Sequence, residues 1–571
     1  MSIIFFVFCR APGCFRPLKG LFPAPVPISI LIGLSLIATA FAQEPHHGPS
    51  LKPAAEERAR FEMEEVVVTG TRVEEPIRNI PKNVTVITRE DIEQAPSNNV
   101  VDLLAREANV NLRSFFGNDK QAGVDIRGMG DTFVSNVIVM VDGYRLNPPD
   151  LAGPDFSTIP LDNIERIEIL RGAGAVLYGD GAVGGVINII TRKGEKKPEG
   201  KFYGSYGSFE TIDGRALYGG RVKRLSFNVN AGYYDSNGYR ENGFFDKKDA
   251  GTRLQYDLTD AIALLLNASY HDDEYGLPGP VNREDKDDKD ARRATMRPDD
   301  GGETEDGRAM GGVRIDLGRW GNAEIHRGYR SRDNHYVQGF NPLLPRSEQT
   351  DHIDEDTRMF DMTYFKDYRL WERDHRIKVG FDHFKTEYYR EELSRNSREN
   401  SEIKRRGVFA MNRWSLLENL TFDVGYRYHW FDGIFRNDQR QRFGTDRIWV
   451  NGIPFQRKWH NDSYDIGLLY SINENHSIFG NYATSFRTPN ADEFALADND
   501  LRPQEGKHMD IGSRHLLLDI CELSVTLFQM EITDEIYYGE DPTTGIAVNR
   551  NFDEKTIRRG LEADIKIYPI D

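Results

Sequence analysis

Residues 420–430, LTFDVGYRYHW, decide the fold class, because the character of the side chains changes at every position. Leu, Phe, Val, Tyr, Tyr and Trp alternate with Thr, Asp, Gly, Arg and His. Successive side chains of a β-strand point to opposite faces, so the stretch predicts a strand with one apolar and one polar face. A tilted β-strand crosses a bilayer with about 9–11 residues, and the stretch has that length.

The same alternation recurs from about residue 200 onward. It is found in residues 225–234 (LSFNVNAGYY), 254–258, 262–270, 313–317, 464–470 and 561–567. A soluble β-sandwich also has an apolar and a polar face. Two features favour a barrel in lipid: aromatic residues lie near the strand ends, and tight turns alternate with long polar loops, the longest at residues 271–310. The sequence therefore predicts a transmembrane antiparallel β-barrel.

The composition of the 571 residues excludes two classes of protein. A mean hydropathy of -0.58 and 29% charged residues leave no room for a bundle of apolar membrane helices. The formal net charge is -17, whereas neutralising the phosphates of a nucleic acid needs a basic face. The spacing of His, Ser and acidic residues assembles no catalytic group. We therefore predict that the protein is neither an enzyme nor a nucleic-acid-binding protein.

The first 42 residues have the pattern of an export signal. Arg16 and Lys19 form a positive flank, and the apolar stretch that follows is too short to span a bilayer. The AFA motif at residues 40–42 is a small-x-small cleavage site. Removal of this segment leaves Cys521 as the single cysteine, which excludes an intramolecular disulfide and a cysteine-based metal site.

A mixed α/β segment, residues 60–195, precedes the predicted barrel. Residues 97–110 (SNNVVDLLAREANV) predict a helix capped near Ser97 or Asn98, and three β-branched runs predict strands. A small globular unit ahead of a large barrel indicates an occupied lumen, as in plugged transporters of about 22 strands.

Three glycines raise the alternative of a dinucleotide-binding enzyme, because Gly179, Gly181 and Gly184 form a G-x-G-x-x-G match. That fingerprint requires a helix after the third glycine, but the β-branched run at residues 185–194 favours a strand. Glu199 stands at the expected acidic spacing, yet inside a polar turn. We therefore interpret the glycines as a tight turn packed closely against another backbone.

Five ordered motifs make the chain resemble a TonB-dependent outer-membrane receptor. EEVVVTG at residues 64–70 resembles the TonB box, and NYATSFRTPNADEF at residues 481–494 is similar to a stretch of the family's barrel. The motifs that resemble the plug are VDIRGMG, VMVDGYRLN and IERIEILRGAGAVLYGDGAVGGVINIIT, at residues 124–130, 139–147 and 164–191.

The resemblance implies four parts and a mechanism. The parts are a signal peptide (1–42), a linker with the TonB box (43–75), a plug domain (76–195) and a barrel of the 22-stranded type (196–571). The implied TonB box consists of Glu64, Glu65, Val66, Val67, Val68, Thr69 and Gly70. Such an extended β-branched segment can add as a strand to the sheet edge of a partner.

The same resemblance implies the location and the partners. The protein is expected to be a monomer in the outer membrane of a Gram-negative bacterium. Its implied partners are outer-membrane lipid, a small-molecule ligand, and the C-terminal domain of TonB with its inner-membrane proton-motive complex. No covalently bound cofactor is expected.

By resemblance, plug arginines pair with glutamates of the barrel, and a buried guanidinium does require such partners. The implied arginines are Arg127 and Arg171. The family's L-x-P-E reads LRPQ at residues 501–504, which displaces the glutamate by one position, to Glu505. If the strand has already begun there, the displacement points Glu505 to the opposite face. The candidate barrel partners are Glu493, Glu505 and Glu562.

The resemblance places the ligand between apical plug loops and the inner barrel wall. The candidate ligand-binding residues are Arg113, Phe115, Tyr144 and Arg145. Guanidinium groups and aromatic rings suit an anionic, partly aromatic iron chelate, so we expect energised uptake of a ferric siderophore. Haem and cobalamin receptors of the same family and a passive porin are the alternatives, and the absence of histidine from residues 490–504 counts against haem.

Two further expectations concern charge and the C-terminus. The acidic run at residues 284–290 lacks the ligand spacing of an EF-hand and predicts a solvated loop. The chain ends in YPID at residues 568–571, without the terminal aromatic residue usual for exported barrels. Because closure pairs the last strand with the first, we expect that C-terminal strands are missing.

Overall fold

A computed structural model describes residues 67–68, 72, 75–107, 109–115, 120–443, 446–495, 501–517, 520–540 and 545–567. The predicted signal peptide and most of the predicted linker lie outside the described residues, as do Glu64, Glu65, Val66, Thr69 and Gly70 of the TonB box. Two short strands of this region are described, β1 (Val67–Val68) and β2 (Glu75–Pro76), and they pair antiparallel.

The plug follows β2 as a small α/β unit. Its strands are β3 (Val84–Ile87), β4 (Asn111–Ser114), β5 (Ala122–Asp125), β6 (Val137–Val141), β7 (Tyr144–Arg145), β8 (Ile164–Arg171) and β9 (Gly185–Thr191). Its helices are α1 (Arg89–Gln94), α2 (Val100–Leu104) and α3 (Ala175–Tyr178). Five strands form one sheet in the order β3-β8-β9-β6-β7, in which β6 and β9 run parallel. Strands β4 and β5 form a separate hairpin.

Alternating β-branched residues on β6, β8 and β9 supply the core of the plug, against which α1 and α2 pack. The helix predicted over residues 97–110 is shorter than expected, because α2 has five residues. Its cap is Asn99 rather than Ser97 or Asn98, and the Asn99 side chain accepts a hydrogen bond of 2.8 Å from the backbone N–H of Asp102. That bond satisfies one of the free N–H groups at the start of the helix.

The rest of the chain is almost entirely strand. The strands are β10 (Glu199–Tyr206), β11 (Ile212–Val222), β12 (Leu225–Ser236), β13 (Phe245–Asp257), β14 (Ile262–Gly276), β15 (Gly301–Asp316), β16 (Asn322–Val337), β17 (Asp351–Leu370), β18 (Arg373–Glu392), β19 (Ser397–Leu417), β20 (Leu420–Phe443), β21 (Asp446–Val450), β22 (Phe455–Asn473), β23 (His476–Arg487), β24 (Gln504–Leu517), β25 (Cys521–Thr533), β26 (Ile536–Glu540), β27 (Ala547–Asn551) and β28 (Thr556–Ile567). Two short helices, α4 (Lys289–Arg293) and α5 (Ala491–Ala495), lie in the connections. Single 3-10 turns occur at Ile77–Asn79, Gly130–Ser135, Phe156–Thr158, Leu161–Asn163, Ser208–Glu210, Arg283–Asp285, Gly318–Trp320, Arg346–Glu348 and Leu393–Arg395.

Within the described residues, seventeen of these strands form one antiparallel sheet in chain order from β10 to β25, followed by β28. Strand β21 pairs only with the end of β20, which otherwise pairs with β22. Strands β10 and β28 are the two edges of this order. Seventeen strands are fewer than the 22 that the resemblance implies. Strands β26 and β27 form a separate hairpin between β25 and β28.

The alternation predicted from residues 420–430 is present in the structure. Asp423, Arg427 and His429 are buried and face the lumen, whereas Tyr426, which lies between them, is 40% exposed on the outer face. In this stretch, apolar side chains therefore cover the outside of the sheet and polar side chains face the inside. Among the described residues, no helix is long and apolar enough to cross a bilayer.

The connections differ between the two ends of the sheet. Turns of two residues, at 223–224, 371–372 and 418–419, join strands at one end, which we call the turn end. Connections of 13 or more residues, at 277–300, 338–350 and 488–503, lie at the opposite loop end. The plug lies in the lumen, where α3 packs against β20, β22 and β23.

Candidate functional site: the interface between plug and barrel

Arg127 joins the plug to two strands of the barrel. Its Nε and Nη2 atoms donate hydrogen bonds of 3.0 Å to the two carboxylate oxygens of Glu562 on β28. Its Nη1 atom lies 3.0 Å from Asp510 on β24, and the guanidinium stacks over Phe528 at 4.2 Å from the ring centroid. Burial disfavours the charged form of Arg127, but Glu562 and Asp510 outweigh burial and raise its pKa. The predicted partner Glu562 is therefore in contact with Arg127.

Arg171 lies beside this contact. It is 1% exposed, and its Nη1 atom is 3.2 Å from the carboxylate of Asp564 on β28. Asn83 lies between the two arginines. Its side-chain amide donates a hydrogen bond of 2.8 Å to Glu562, the partner of Arg127, and its side-chain oxygen lies 3.4 Å from Nη1 of Arg171. We call Arg127, Arg171, Asp510, Glu562 and Asp564 the latch cluster. Sequence reasoning missed both aspartates, although Asp564 lies two residues after Glu562 and so on the same strand face.

Two of the predicted barrel partners do not contact the plug arginines. Glu505 lies exposed on the outer face of β24, because the lumen-facing position is occupied by buried Gln504. Glu493 is buried on α5, where it forms a two-pronged ion pair with Arg487 at 2.7 and 2.9 Å. The assignment of Glu505 and Glu493 as partners of the plug arginines was therefore wrong. Glu505 faces outward, and Glu493 is already paired with Arg487 of the barrel.

The segment that follows the TonB box is fixed to β17, β18 and β19 of the barrel. Arg72 lies 2.5 Å from Asp361 and 3.2 Å from Asp382. Glu75 is 1% exposed and contacts three cationic side chains, namely Arg376 at 3.2 Å, Arg413 at 2.8 Å and Lys378. Burial raises the pKa of Glu75, but Lys378, Arg413 and Arg376 outweigh burial and lower the pKa to about 2. We call Arg72 and Glu75 the N-terminal anchor.

The hairpin of β4 and β5 presents two of the predicted ligand-binding residues. Arg113 is exposed, with its guanidinium 4.9 Å from the ring centroid of Phe133, and Phe115 is 46% exposed. Residues 116–119, between β4 and β5, lie outside the described residues. The end of the hairpin is fixed by Lys120, whose Nζ atom lies 2.5 Å from Asp273 on β14 and 3.1 Å from Asp155.

Tyr144 is buried and Arg145 is half-buried, contrary to the expectation for exposed residues of an apical loop. Tyr144 is 3% exposed and donates a weak hydrogen bond of 3.4 Å to the backbone oxygen of Thr357. Arg145 donates a hydrogen bond of 2.6 Å to the backbone oxygen of Asp180. Burial and the nearby Arg405 lower the pKa of Arg145 to about 10. Both residues form β7 at the edge of the plug sheet, so they pack between plug and barrel.

Comparison with known proteins decides the family. The model described as "TonB-dependent Receptor Plug Domain" matches residues 76–186, and that described as "TonB dependent receptor-like, beta-barrel" matches residues 197–568. Together they cover most of the chain. The chain belongs to the TonB-dependent receptor family.

Individual relatives agree with this assignment. The vitamin B12 transporter BtuB of Photobacterium profundum is 25% identical over 567 residues, which cover 92% of this chain and 79% of the relative. An iron-regulated outer membrane virulence protein of Vibrio cholerae is 36% identical over 185 residues, or 31% of this chain and 25% of the relative. The siderophore receptor PirA of Acinetobacter baumannii has the same fold, with a TM-score of 0.64 and 20% identity, and the match covers 85% of this chain and 78% of that one.

The family settles several of the predictions. This receptor transports its ligand across the outer membrane in a TonB-dependent manner, and the family consists of transporters and receptors rather than enzymes. The dinucleotide-binding alternative was therefore rightly rejected.

In outer-membrane barrels the long loops are extracellular and the short turns periplasmic. The loop end of the receptor is therefore its extracellular end.

The glycine-rich turn of the plug packs as the sequence predicted. Gly181 has a φ of +90°, and a Cβ atom there would lie 2.9 Å from Arg145 and 3.1 Å from the backbone oxygen of Ser135. A Cβ atom on Gly184 would lie 2.8 Å from the backbone oxygen of Ile126. A strand, β9, follows these glycines, which confirms that no nucleotide-binding helix opens there.

A barrel loop of the receptor covers the apex of the plug. The backbone N–H of Ala491 on α5 donates a hydrogen bond of 2.8 Å to the backbone oxygen of Pro149. The side chain of Asp492 accepts a hydrogen bond of 3.0 Å from the backbone N–H of Leu151. Arg390 on β18 holds Asp492 at 2.8 Å. Sequence reasoning did not find this contact, although both acidic residues of α5 lie in the quoted motif at residues 481–494.

An aromatic wall lies next to α5 on the lumen side of β20 and β22. Phe494 of α5 is 4.5 Å from Phe435 and stacks on Trp459 at 6.0 Å between ring centroids. Phe431 and Phe455 complete this wall. Aromatic faces of this kind give large apolar contact area with defined geometry. The acidic run at residues 284–290 lies apart from it, and there Asp288 caps α4 by accepting hydrogen bonds from two backbone N–H groups.

Proposed function

We propose that the receptor imports a ferric siderophore, and the observation that carries this proposal is the pair of exposed residues on the β4–β5 hairpin. Arg113 and Phe115 are exposed on the hairpin whose end Lys120 ties to Asp273, near the extracellular end of β14. A guanidinium attracts an anionic chelate, and an exposed ring stacks on an aromatic iron-binding group. The aromatic wall beside α5 supplies further apolar surface of the same kind.

The experiment is growth rescue of a receptor-deficient Gram-negative strain on a panel of ferric siderophores, haem and cobalamin, with and without the gene. We expect rescue by at least one ferric siderophore and loss of most of it in Arg113→Ala and Phe115→Ala. Arg319→Ala is the matched control, because Arg319 lies in a turn at the periplasmic end beside Trp320. Rescue by cobalamin alone, or equal rescue in all three variants, would contradict the proposal.

Cobalamin is the second candidate, because the BtuB of Photobacterium profundum matches 92% of this chain. A corrinoid is large and carries little negative charge. Its uptake should therefore depend on the aromatic wall and not on the guanidinium of Arg113. Uptake that tolerates Arg113→Ala but fails in Phe494→Ala would favour cobalamin over a ferric siderophore.

The energy for import is proposed to come from TonB, through Glu64 to Gly70. In the receptor, β1 pairs with β2, with Val67 opposite Pro76 and Val68 opposite Glu75. These main-chain groups must leave β2 before they can add to the sheet of TonB. Deletion of residues 64–70 is expected to abolish uptake while ligand binding survives. Uptake that continues without the segment and without the proton gradient would indicate a passive porin.

A cavity between plug and barrel supports a route for the ligand. Its volume is about 460 Å³, and it lies along the inner wall formed by β13 to β20. Charged residues of both signs line it, among them Arg72, Arg253, Asp361, Asp382, Arg405 and Arg427. Arg72 belongs to the N-terminal anchor, so withdrawal of the anchor toward the periplasm would widen this cavity. We propose that the latch cluster holds the plug to β24 and β28 while this happens.

A further inference from the structure

Three metal-binding side chains meet on the outside of the barrel. Asp333, His335 and His352 each offer one ligand atom, and the three atoms lie within 4.8 Å of one another. The carboxylate oxygen Oδ1 of Asp333 is 2.9 Å from Nε2 of His335 and 3.3 Å from Nε2 of His352. The two imidazole rings are stacked, with centroids 4.1 Å apart and an angle of 5° between their planes.

Strand geometry explains why these side chains meet. Asp333 and His335 are two residues apart on β16, so they share one face of the strand. His352 lies directly opposite His335 on the antiparallel strand β17. The residue between the two on β16, Asn334, is buried toward the lumen, so the cluster faces outward. Directly opposed side chains have Cβ atoms about 4.5–5.5 Å apart, which is close enough to share one ion.

The cluster lies beyond the apolar band of the barrel. On β17 the outward side chains of Phe360 and Met362 are exposed and apolar, as a lipid-facing surface requires. His352 is eight residues nearer the extracellular end than Phe360, or about 26 Å along the strand. The side chains of His335 and His352 are 43% and 27% exposed, so ions from solution can reach them.

We propose that Asp333, His335 and His352 bind a divalent transition-metal ion of the Zn²⁺ type. Zinc binds imidazole nitrogen and carboxylate oxygen at about 2.0–2.2 Å, which places neighbouring ligand atoms of a tetrahedral site about 3.3 Å apart. The two separations from Asp333 are close to that value. Two imidazoles select Zn²⁺, Cu²⁺ or Ni²⁺ over Mg²⁺ and Ca²⁺, which prefer oxygen ligands alone.

The surroundings favour a cation. Glu303 and Glu305 on β15 lie directly opposite His335 and Asp333. Their negative charge attracts a divalent ion, and Glu303 or water completes the coordination. The bound ion joins β16 to β17 just below their extracellular connection at residues 338–350.

The test is isothermal titration of Zn²⁺ into the purified, chelator-treated receptor in detergent. We expect one Zn²⁺ per chain, and at least a hundredfold weaker binding in the double variant His335→Gln/His352→Gln. His383→Gln is the matched control, because His383 lies on the outer face of the neighbouring strand β18 and outside the cluster. Equal binding by the double variant, or competition by Ca²⁺ as strong as that by Zn²⁺, would overturn the proposal.

A second measurement reports the ligand atoms themselves. Electron paramagnetic resonance of the receptor loaded with one Cu²⁺ should show coupling to two imidazole nitrogens, and His352→Gln should reduce the coupling to one. Zn²⁺ should also raise the unfolding temperature of the native receptor and leave that of the double variant unchanged, since a ligand stabilises only the state that binds it. A Cu²⁺ spectrum without nitrogen coupling would contradict the assignment.

Discussion

Arg127 donates a hydrogen bond of 3.0 Å to each carboxylate oxygen of Glu562, and this pair ties the plug to β28. The side chain of Arg127 has no exposed surface, and that of Glu562 is 4% exposed. Charges withdrawn from water in this way are stable only while both partners are present. The position of the plug is therefore coupled to the charge balance of the latch cluster.

The first prediction is that Arg127→Ala destabilises the receptor by about 3–5 kcal/mol, because Glu562 and Asp510 are left buried without a counter-charge. The measurement is unfolding of the purified receptor in detergent, followed by circular dichroism. Arg319→Ala is the control, since a substitution at an exposed position usually changes stability by less than about 0.5 kcal/mol.

A companion variant tests the electrostatic origin of that loss. Arg127→Met together with Glu562→Gln and Asp510→Asn removes the uncompensated charges. We expect this triple variant to be more stable than Arg127→Met alone, because replacing a whole buried ion cluster is far less costly than breaking it. No recovery would mean that Arg127 acts through packing against Phe528 rather than through charge.

The second prediction compares two glycines with similar backbone angles. Gly172 has a φ of +84°, and a Cβ atom there would lie 2.7 Å from the Arg127 guanidinium, whereas Gly128, with a φ of +71°, has free space around it. Alanine in this conformation costs about 1–2 kcal/mol at either site. Gly172→Ala should therefore be the more damaging substitution in the same unfolding measurement, and the difference should shrink when Arg127 is already replaced by Met.

The fold could be predicted from the sequence because the plug segment and the barrel segment differ in the periodicity of their apolar residues. The period of two at residues 420–430 depends only on the pleat of a strand, and it survives any arrangement of the neighbouring strands. The helix expected over residues 97–110 was predicted less well, because the structure has a helix only at Val100–Leu104. The capping residue is Asn99 instead of Ser97 or Asn98, because the choice among three adjacent polar residues depends on which backbone N–H groups the plug core leaves free.

The site was predicted only in part, for a geometric reason. Arg127 and Arg171 were found from local motifs, whereas the barrel partners of Arg127 lie far from it in sequence, Glu562 by 435 residues and Asp510 by 383. Glu562 was one of three candidate glutamates, and Asp510 was not found. A contact at such separation depends on barrel register, which local patterns do not specify. Register also decided against Glu505, because a shift of one residue sends a side chain to the other face of the sheet.

The third prediction concerns pH and Glu75. Its pKa is lowered from 4.5 to about 2 in the folded receptor, so its ion pairs contribute stability above pH 4.5 and lose it as the pH falls toward 2. The native receptor should exceed Glu75→Gln in stability at pH 7, and this difference should shrink steadily below pH 4.5. Glu199→Gln, at an exposed position on β10, is the control. A difference that stays constant down to pH 3 would contradict this role of Glu75.

The fourth prediction connects the N-terminal anchor to the TonB box. Because β1 pairs with β2, and Glu75 of β2 is held by Arg376, Lys378 and Arg413, release of Glu75 should also release β1. In a receptor carrying Cys521→Ser and Thr69→Cys, maleimide labelling of residue 69 should become about tenfold faster when Glu75→Gln is added. Each factor of ten corresponds to about 1.4 kcal/mol, a modest share of what several buried ion pairs contribute.

The same variant should bind the C-terminal domain of TonB more tightly, because the main-chain groups of Val67 and Val68 no longer have to leave β2 before they pair with a partner strand. Arg319→Ala in the same background should change neither labelling nor TonB binding. Faster labelling without tighter TonB binding would show that the partner strand adds elsewhere. Unchanged labelling would show that Glu75 fixes the plug to the barrel wall while residues 64–70 are already free, and the coupling inferred from the pairing of β1 with β2 would then be wrong.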